Sequence, residues 1–191
     1  MENYEALAIA ARSFAPVEQS DWEAITESVS WDAFLNTLSS LANGNLDEQT
    51  RAALAKPPSY QQKAQFARRH FTGGLPASAL PVESLYLPPA PGAEGPSYLR
   101  ETAMYMRELI GAMEIPVPEE FSAMPDHLAI ELAVAATLLA INHNDEAAEF
   151  MAERLSWLPA YTVRLEQLDD GDADFYIALT KALSSITAKE S

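Results

Sequence analysis

The chain has 191 residues, 48 % of them apolar, 12 basic against 28 acidic side chains, and a formal net charge of −16. It is long enough for one domain with its own core and too apolar for a disordered chain. With no cysteine, disulfides, thiolate metal sites and cysteine nucleophiles are excluded.

The charge is unevenly spread. Between Glu114 and Asp174 stand fourteen acids and two bases, Arg154 and Arg164. Such a field repels nucleic acid and anionic membrane and attracts basic peptides. No uninterrupted apolar stretch is long enough to span a bilayer. The opening MENYEALAIAARSF lacks a basic start followed by a long apolar run. The expectation is a soluble cytoplasmic protein without stable membrane insertion.

In chain order, Tyr4, Leu7, Ala8, Ala11 and Phe14 share one face at helical spacing, and Pro16 ends the run. Ser20-Asp21-Trp22-Glu23 has the pattern of a capping box. Trp31, Phe34, Leu35, Leu38 and Leu41 form the next stripe, stopped at Asn43-Gly44. A helix near Leu46 to Ala55 ends before Pro57-Pro58, and another runs from Tyr60 to Phe71. From residue 73 to 96 proline and glycine are too dense for regular helix, which marks a long connection. Inside it, PVESLYL keeps anchors able to pin the loop to the helical body.

Helix resumes at Ser97, where Tyr98, Thr102, Tyr105, Met106, Leu109 and Met113 share a face until Pro116 and Pro118. Leu128, Leu132, Ala135 and Leu139 stripe the next helix. Phe150, Met151, Leu155 and Leu158 stripe the one after, interrupted by Pro159, and Phe175, Leu179, Leu183 and Ile186 stripe the last. No strand pattern and no fixed repeat occur. The reading is all-α: one helical bundle over 1–191 with eight to ten helices.

No phosphate-binding glycine loop and no nucleophile-elbow motif is present, so no catalytic residue is assigned. His70, His127 and His143 lack a second histidine at metal-ligand spacing. His127 and Glu131, four apart on a helix, are too few for a metal site. In MPDHL, Pro125 suits a first helical position and Asp126 suits the positive end of a helix dipole. His127 is left open between a structural histidine and a binding role.

Three pieces taken together resemble a known family. They are FTGGLPASALPVESLYL, with Phe71, Gly73, Pro81, Glu83, Ser84 and Tyr86; PDHLAIEL, from Pro125 to Leu132; and RLSWLPAY followed by DADFYIAL, with Leu155, Trp157, Phe175 and Tyr176. Their order and spacing resemble the TorD/DmsD/NarJ family of redox-enzyme maturation chaperones, from about Tyr60 to the C-terminus. The resemblance implies a TorD-like helical fold and a cytoplasmic chaperone rather than an enzyme, with no cofactor of its own. Its partner would be the twin-arginine signal peptide, and the precursor, of a molybdenum-cofactor oxidoreductase subunit, held until cofactor insertion and folding precede export. The implied peptide-binding residues are Glu83, Ser84, Tyr86, Pro125, Asp126, His127 and Trp157. Three departures stand out: Arg154 occupies a position where the family often has histidine, Ala123-Met124 stands where an acid often precedes PDH, and the loop PPAPGAEGP after Tyr86 is unusually rich in proline.

The chemistry of such a leader matches these side chains. Guanidinium groups seek carboxylates, here Asp126 with Glu83, and an apolar run seeks a groove, expected beside Leu85, Tyr86 and Leu128. The competing readings are an acidic helical adaptor for another basic partner, and a metal-dependent hydrolase using His127 and Glu131. Monomer and domain-swapped dimer both stay open, with the proline-rich loop as the hinge.

Overall fold

The computed structural model describes residues 1–72, 78–87 and 101–187. They form ten α-helices: α1 (Asn3–Phe14), α2 (Gln19–Ile25), α3 (Ser28–Leu41), α4 (Glu48–Leu54), α5 (Tyr60–His70), α6 (Glu101–Ala112), α7 (Leu128–Ala140), α8 (Asn144–Arg154), α9 (Leu158–Glu166) and α10 (Ala173–Thr187). Two single 3-10 turns, Glu83–Leu85 and Glu119–Phe121, complete them. Extended pairing among the described residues is limited to an isolated antiparallel bridge, Val82 with His127. The all-α expectation holds. Most of the proline-rich loop, the restart at Ser97 with Tyr98, and hence the proposed swapping hinge lie outside the described residues.

Helix α7 is the axis of the bundle. Leu128, Ala129, Ile130, Glu131, Leu132, Val134, Ala135 and Ala136 are all buried. A helix apolar around its whole circumference belongs inside. Helix α1 lies along it more extensively than any other pair of helices meets. Alanines at 6, 10 and 11 of α1 and at 129, 135 and 136 of α7 are buried, and small side chains let helix axes approach closely. Helix α10 packs on α9 and α4 and reaches α3 and α8. One continuous apolar cluster draws on every helix from α1 to α10. Each fully buried leucine in it, such as Leu128 or Leu132, contributes about 1.5–3 kcal/mol.

Local signals set most helix ends. Ser59 and Gln62 form a capping box at α5, and Asp47 caps α4 through the Thr50 N–H at 2.7 Å. Asn43 and Gly44, both at positive φ, end α3. The capping box expected at Ser20 and Glu23 does not form. Helix α2 already starts at Gln19, and Glu23 accepts from Gln19 Nε2 one turn back at 2.7 Å. The register follows a tertiary anchor: buried Trp22 donates its Nε1–H to the Pro58 carbonyl at 2.8 Å. On α6, Ala103, Met106 and Ile110 are the buried positions, while Tyr105 is exposed. Tyr4 of α1 is likewise exposed rather than part of the buried stripe.

Candidate functional site

The loop segment 78–87 is laid against the start of α7 and held from behind by α9. Leu128 N–H donates to the Pro81 carbonyl at 2.9 Å, and Glu83 N–H donates to the Asp126 carbonyl at 3.0 Å. The Asp126 carboxylate accepts the Ser84 N–H at 3.0 Å, which satisfies a donor at the head of the 3-10 turn. From α9, the Tyr161 hydroxyl donates to the Ala79 carbonyl at 3.1 Å and Arg164 Nε donates to the Ser78 carbonyl at 2.9 Å.

This pairing moves the helix start. Pro125 and Asp126 do not open α7; they lie in the stretch bonded to 81–84, and the helix begins only at Leu128. His127 is the residue at the cap. Its Nδ1 accepts the Ala129 N–H at 3.1 Å, and its ring stacks on Phe121 with centroids 4.0 Å apart. Burial holds the imidazole pKa down to about 3, so the ring is neutral and serves as an acceptor at neutral pH. That supplies the structural reason for His127 that the sequence alone left open.

Beneath the loop lies a cluster of charged groups. Glu83, Asp126 and Glu131 are 1 %, 2 % and 0 % exposed. Arg154, the last residue of α8, places Nη1 3.4 Å from Glu83 Oε2. Its Nη2 pairs with the exposed Glu153, and its guanidinium sits 5.3 Å from the centre of the Tyr105 ring. Glu131 Oε2 accepts the Trp157 Nε1–H at 3.2 Å, while Glu131 Oε1 is buried without a hydrogen-bond partner. Burial pushes the Glu83 carboxyl up to about 7; Arg154 pulls it down and Asp126 pushes it further up. Burial, then Glu83 and Asp126, push Glu131 well above the usual carboxylate range.

Aromatic rings close one side. Tyr86 stacks on Trp157 at 5.4 Å and meets Tyr161 edge-on at 5.2 Å. The Tyr86 hydroxyl is buried with no hydrogen-bond partner. Thus Glu83, Ser84, Tyr86, Pro125, Asp126, His127 and Trp157, picked from three separate stretches of sequence, come together. They are nevertheless more enclosed than a surface site suggests, and Leu128, expected to border a peptide, is fully buried core. Two members were missed as such. Glu131 was weighed for a metal, yet it receives the Trp157 indole. Arg154 enters the sequence reading as one of the two bases of the acidic stretch and as a departure from the family motif, and its place beside Glu83 needed the fold. No group of three or more His, Asp or Glu able to hold a metal occurs among the described residues.

An apolar groove opens beside the cluster. Two hollows of about 970 and 570 Å³ share Ala15, Pro16, Val17, Tyr60, Glu120 and Phe121. Ala129, Ala133 and Ala136 of α7 line the larger, and Phe121, Met124 and His127 line the smaller. Glu18, Asp21 and Glu120 stand along the groove together with Arg12 and Arg68. Asp126 and His127 are consecutive: the first turns to the 83–84 turn, the second lines the groove.

The described residues thus place a buried acid cluster beside an apolar groove in an all-helical body. Comparison with known proteins gives the family. The family model described as nitrate reductase delta subunit matches residues 31–169, and the chain belongs to that family, the TorD/NarJ group that its motifs resemble. It is 33 % identical over 114 residues to Chaperone protein TorD of Shewanella piezotolerans, covering 58 % of this chain and 52 % of that one. It is 33 % identical over 116 residues to Chaperone protein TorD of Shewanella pealeana, covering 58 % and 51 %. The chain spans about half the length of these curated relatives. No solved structure matches it.

Proposed function

We propose that this chain is a cytoplasmic chaperone, not an enzyme, that binds the twin-arginine leader of a molybdenum-cofactor oxidoreductase subunit and holds the precursor until its cofactor is in place. The observation that carries the reading is the convergence of the three family-like segments on one acid cluster next to an apolar groove. A leader of this class presents two arginines followed by an apolar run. Its guanidinium groups match carboxylates in geometry and charge. Its apolar run matches the groove between α1, α5 and α7, in the manner of a helix or extended segment laid between helices.

The roles divide accordingly. Glu83, with Asp126 beside it, supplies the negative field for the basic pair, and Glu131, whose proton burial retains, adds an acceptor oxygen behind them. Asp126 holds Ser84, and so fixes the turn that carries Glu83 and Tyr86. Tyr86 offers an unsatisfied hydroxyl beside Trp157. His127 and Phe121 border the apolar run, and Pro125 sits in the turn that the His127 N–H closes on the Met124 carbonyl at 3.1 Å, just before α7.

Co-expression with a molybdoenzyme precursor tests the reading. The precursor should co-purify with the chain, and the same precursor lacking its leader should not. Equal capture of both would reject leader recognition, and equal capture of unrelated basic proteins would favour an acidic adaptor.

A further inference from the structure

The acid cluster has three carboxylates, and Arg154 is the cation beside it. That arginine fits poorly. Its one contact with Glu83 is 3.4 Å, against about 2.7–2.9 Å for a well-made charge-assisted bond. Its Nε is buried without a hydrogen-bond partner, as is Glu131 Oε1. Its Nη2 turns away, to Glu153, which is exposed. A guanidinium fork that belonged there would bind bidentately and leave no N–H idle.

The position of Arg154 matters as much as its fit. It ends α8, and two of its neighbours, Glu153 and Tyr105, reach solvent. The side chain therefore lies at the mouth of the cluster, not behind it.

We propose that Arg154 is a stand-in for the client's arginine: it occupies, in the resting protein, a guanidinium receptor built from Glu83, Glu131 and the Tyr105 ring, and a leader arginine displaces it. The proposal rests on the leader-binding reading and goes beyond it by naming the receptor and its resting occupant. The stand-in keeps the buried acids from facing each other uncompensated while no client is present. A planar bidentate arginine matches that receptor better than a lysine ammonium does. The affinity seen for a leader is reduced by the fraction of molecules in which Arg154 is in place.

The test measures leader binding by calorimetry in the parent, Arg154→Ala and Arg154→Gln, with twin-arginine and twin-lysine leaders. The expected result is a gain of about tenfold for the twin-arginine leader in the variants, with its preference over twin-lysine kept. Folded variants that bind the twin-arginine leader no more tightly than the parent overturn the proposal. A second arm uses methylguanidinium and methylammonium alone. Methylguanidinium should raise the Tm of Arg154→Ala and not of the parent, and methylammonium should raise neither; no response of the variant overturns the receptor. This arm is independent of any leader, so a parent that ignores twin-arginine leaders while the variant responds to methylguanidinium rejects the functional reading and retains the receptor. If neither variant folds, the Arg154 Nε–H resonance of the parent decides: it must move when leader is saturating, and an unmoved resonance overturns the displacement.

Discussion

The Asp126 carboxylate accepts the main-chain N–H of Ser84 at 3.0 Å, across a sequence separation of 42. That bond ties the start of the central helix to the turn carrying Glu83 and Tyr86. It predicts that Asp126→Ala leaves a buried N–H unpaired, at a cost of about 1–3 kcal/mol. The fold should survive, and leader affinity should drop because the turn loses its position. Asp126→Asn keeps an acceptor and should recover most of the stability. Chemical denaturation and calorimetry on the two variants separate these effects. An Asp126→Ala protein that binds leader as tightly as the parent counts against the assignment.

The carboxyl groups of Glu83 and Glu131 are raised by burial, Glu83 to about 7. A raised acid holds its proton in the folded state when the unfolded chain has lost it. Its contribution is complete below the unfolded value near 4.5 and is lost as pH rises through the folded value. Glu131→Gln keeps an acceptor for the Trp157 indole and removes the charge. It should be more stable than the parent above pH 7, by a few degrees in Tm at about 2–4 °C per kcal/mol, and show a flatter decline on the alkaline side. Thermal melts from pH 5 to 9 read this out. A variant that melts below the parent throughout contradicts it.

His127 runs the opposite way. Its pKa is held down to about 3, so the unfolded state takes up a proton first as pH falls below about 6.5. The stability it allows is present above that value and is lost progressively toward pH 3. His127→Asn retains a good N-cap acceptor and does not titrate. It should lose the Phe121 stack, worth about 0.5–1.5 kcal/mol, yet lose less further stability than the parent between pH 6.5 and 4. Parallel acid-side slopes in the two proteins would show that His127 is not the group responsible.

Tyr86 carries a buried hydroxyl with no partner on a ring stacked against Trp157. Tyr86→Phe keeps the stack and removes an unsatisfied polar atom. Its stability should equal or exceed the parent's by up to about 1 kcal/mol. Its leader affinity should fall if the hydroxyl meets the peptide backbone. Unchanged affinity with raised stability would assign the residue to packing alone.

The helical periodicities of Trp31–Leu41, Phe150–Leu158 and Phe175–Ile186 were legible because one face of each helix is buried and the other wet. The placement of Pro125 and Asp126 was not. Their local chemistry suits a first turn, but pairing with 81–84 delays the helix to Leu128. The Ser20 box failed for a related reason, since the Trp22 bond to Pro58 sets the register of α2. Of the site, Glu83, Asp126 and His127 were found through family-like motifs, whereas Glu131 and Arg154 needed the fold. Nothing in the spacing of Glu83 and Arg154, 71 positions apart, reports their contact.

The central claim is met most directly by calorimetric titration of the purified chain with a synthetic twin-arginine leader from a molybdoenzyme of the same organism, beside its twin-lysine counterpart. The account predicts micromolar or tighter binding of the first, persisting in moderate salt, and clearly weaker binding of the second. Binding that is equal for both and vanishes as salt is raised would contradict it, leaving only the attraction of an acidic surface for a basic peptide.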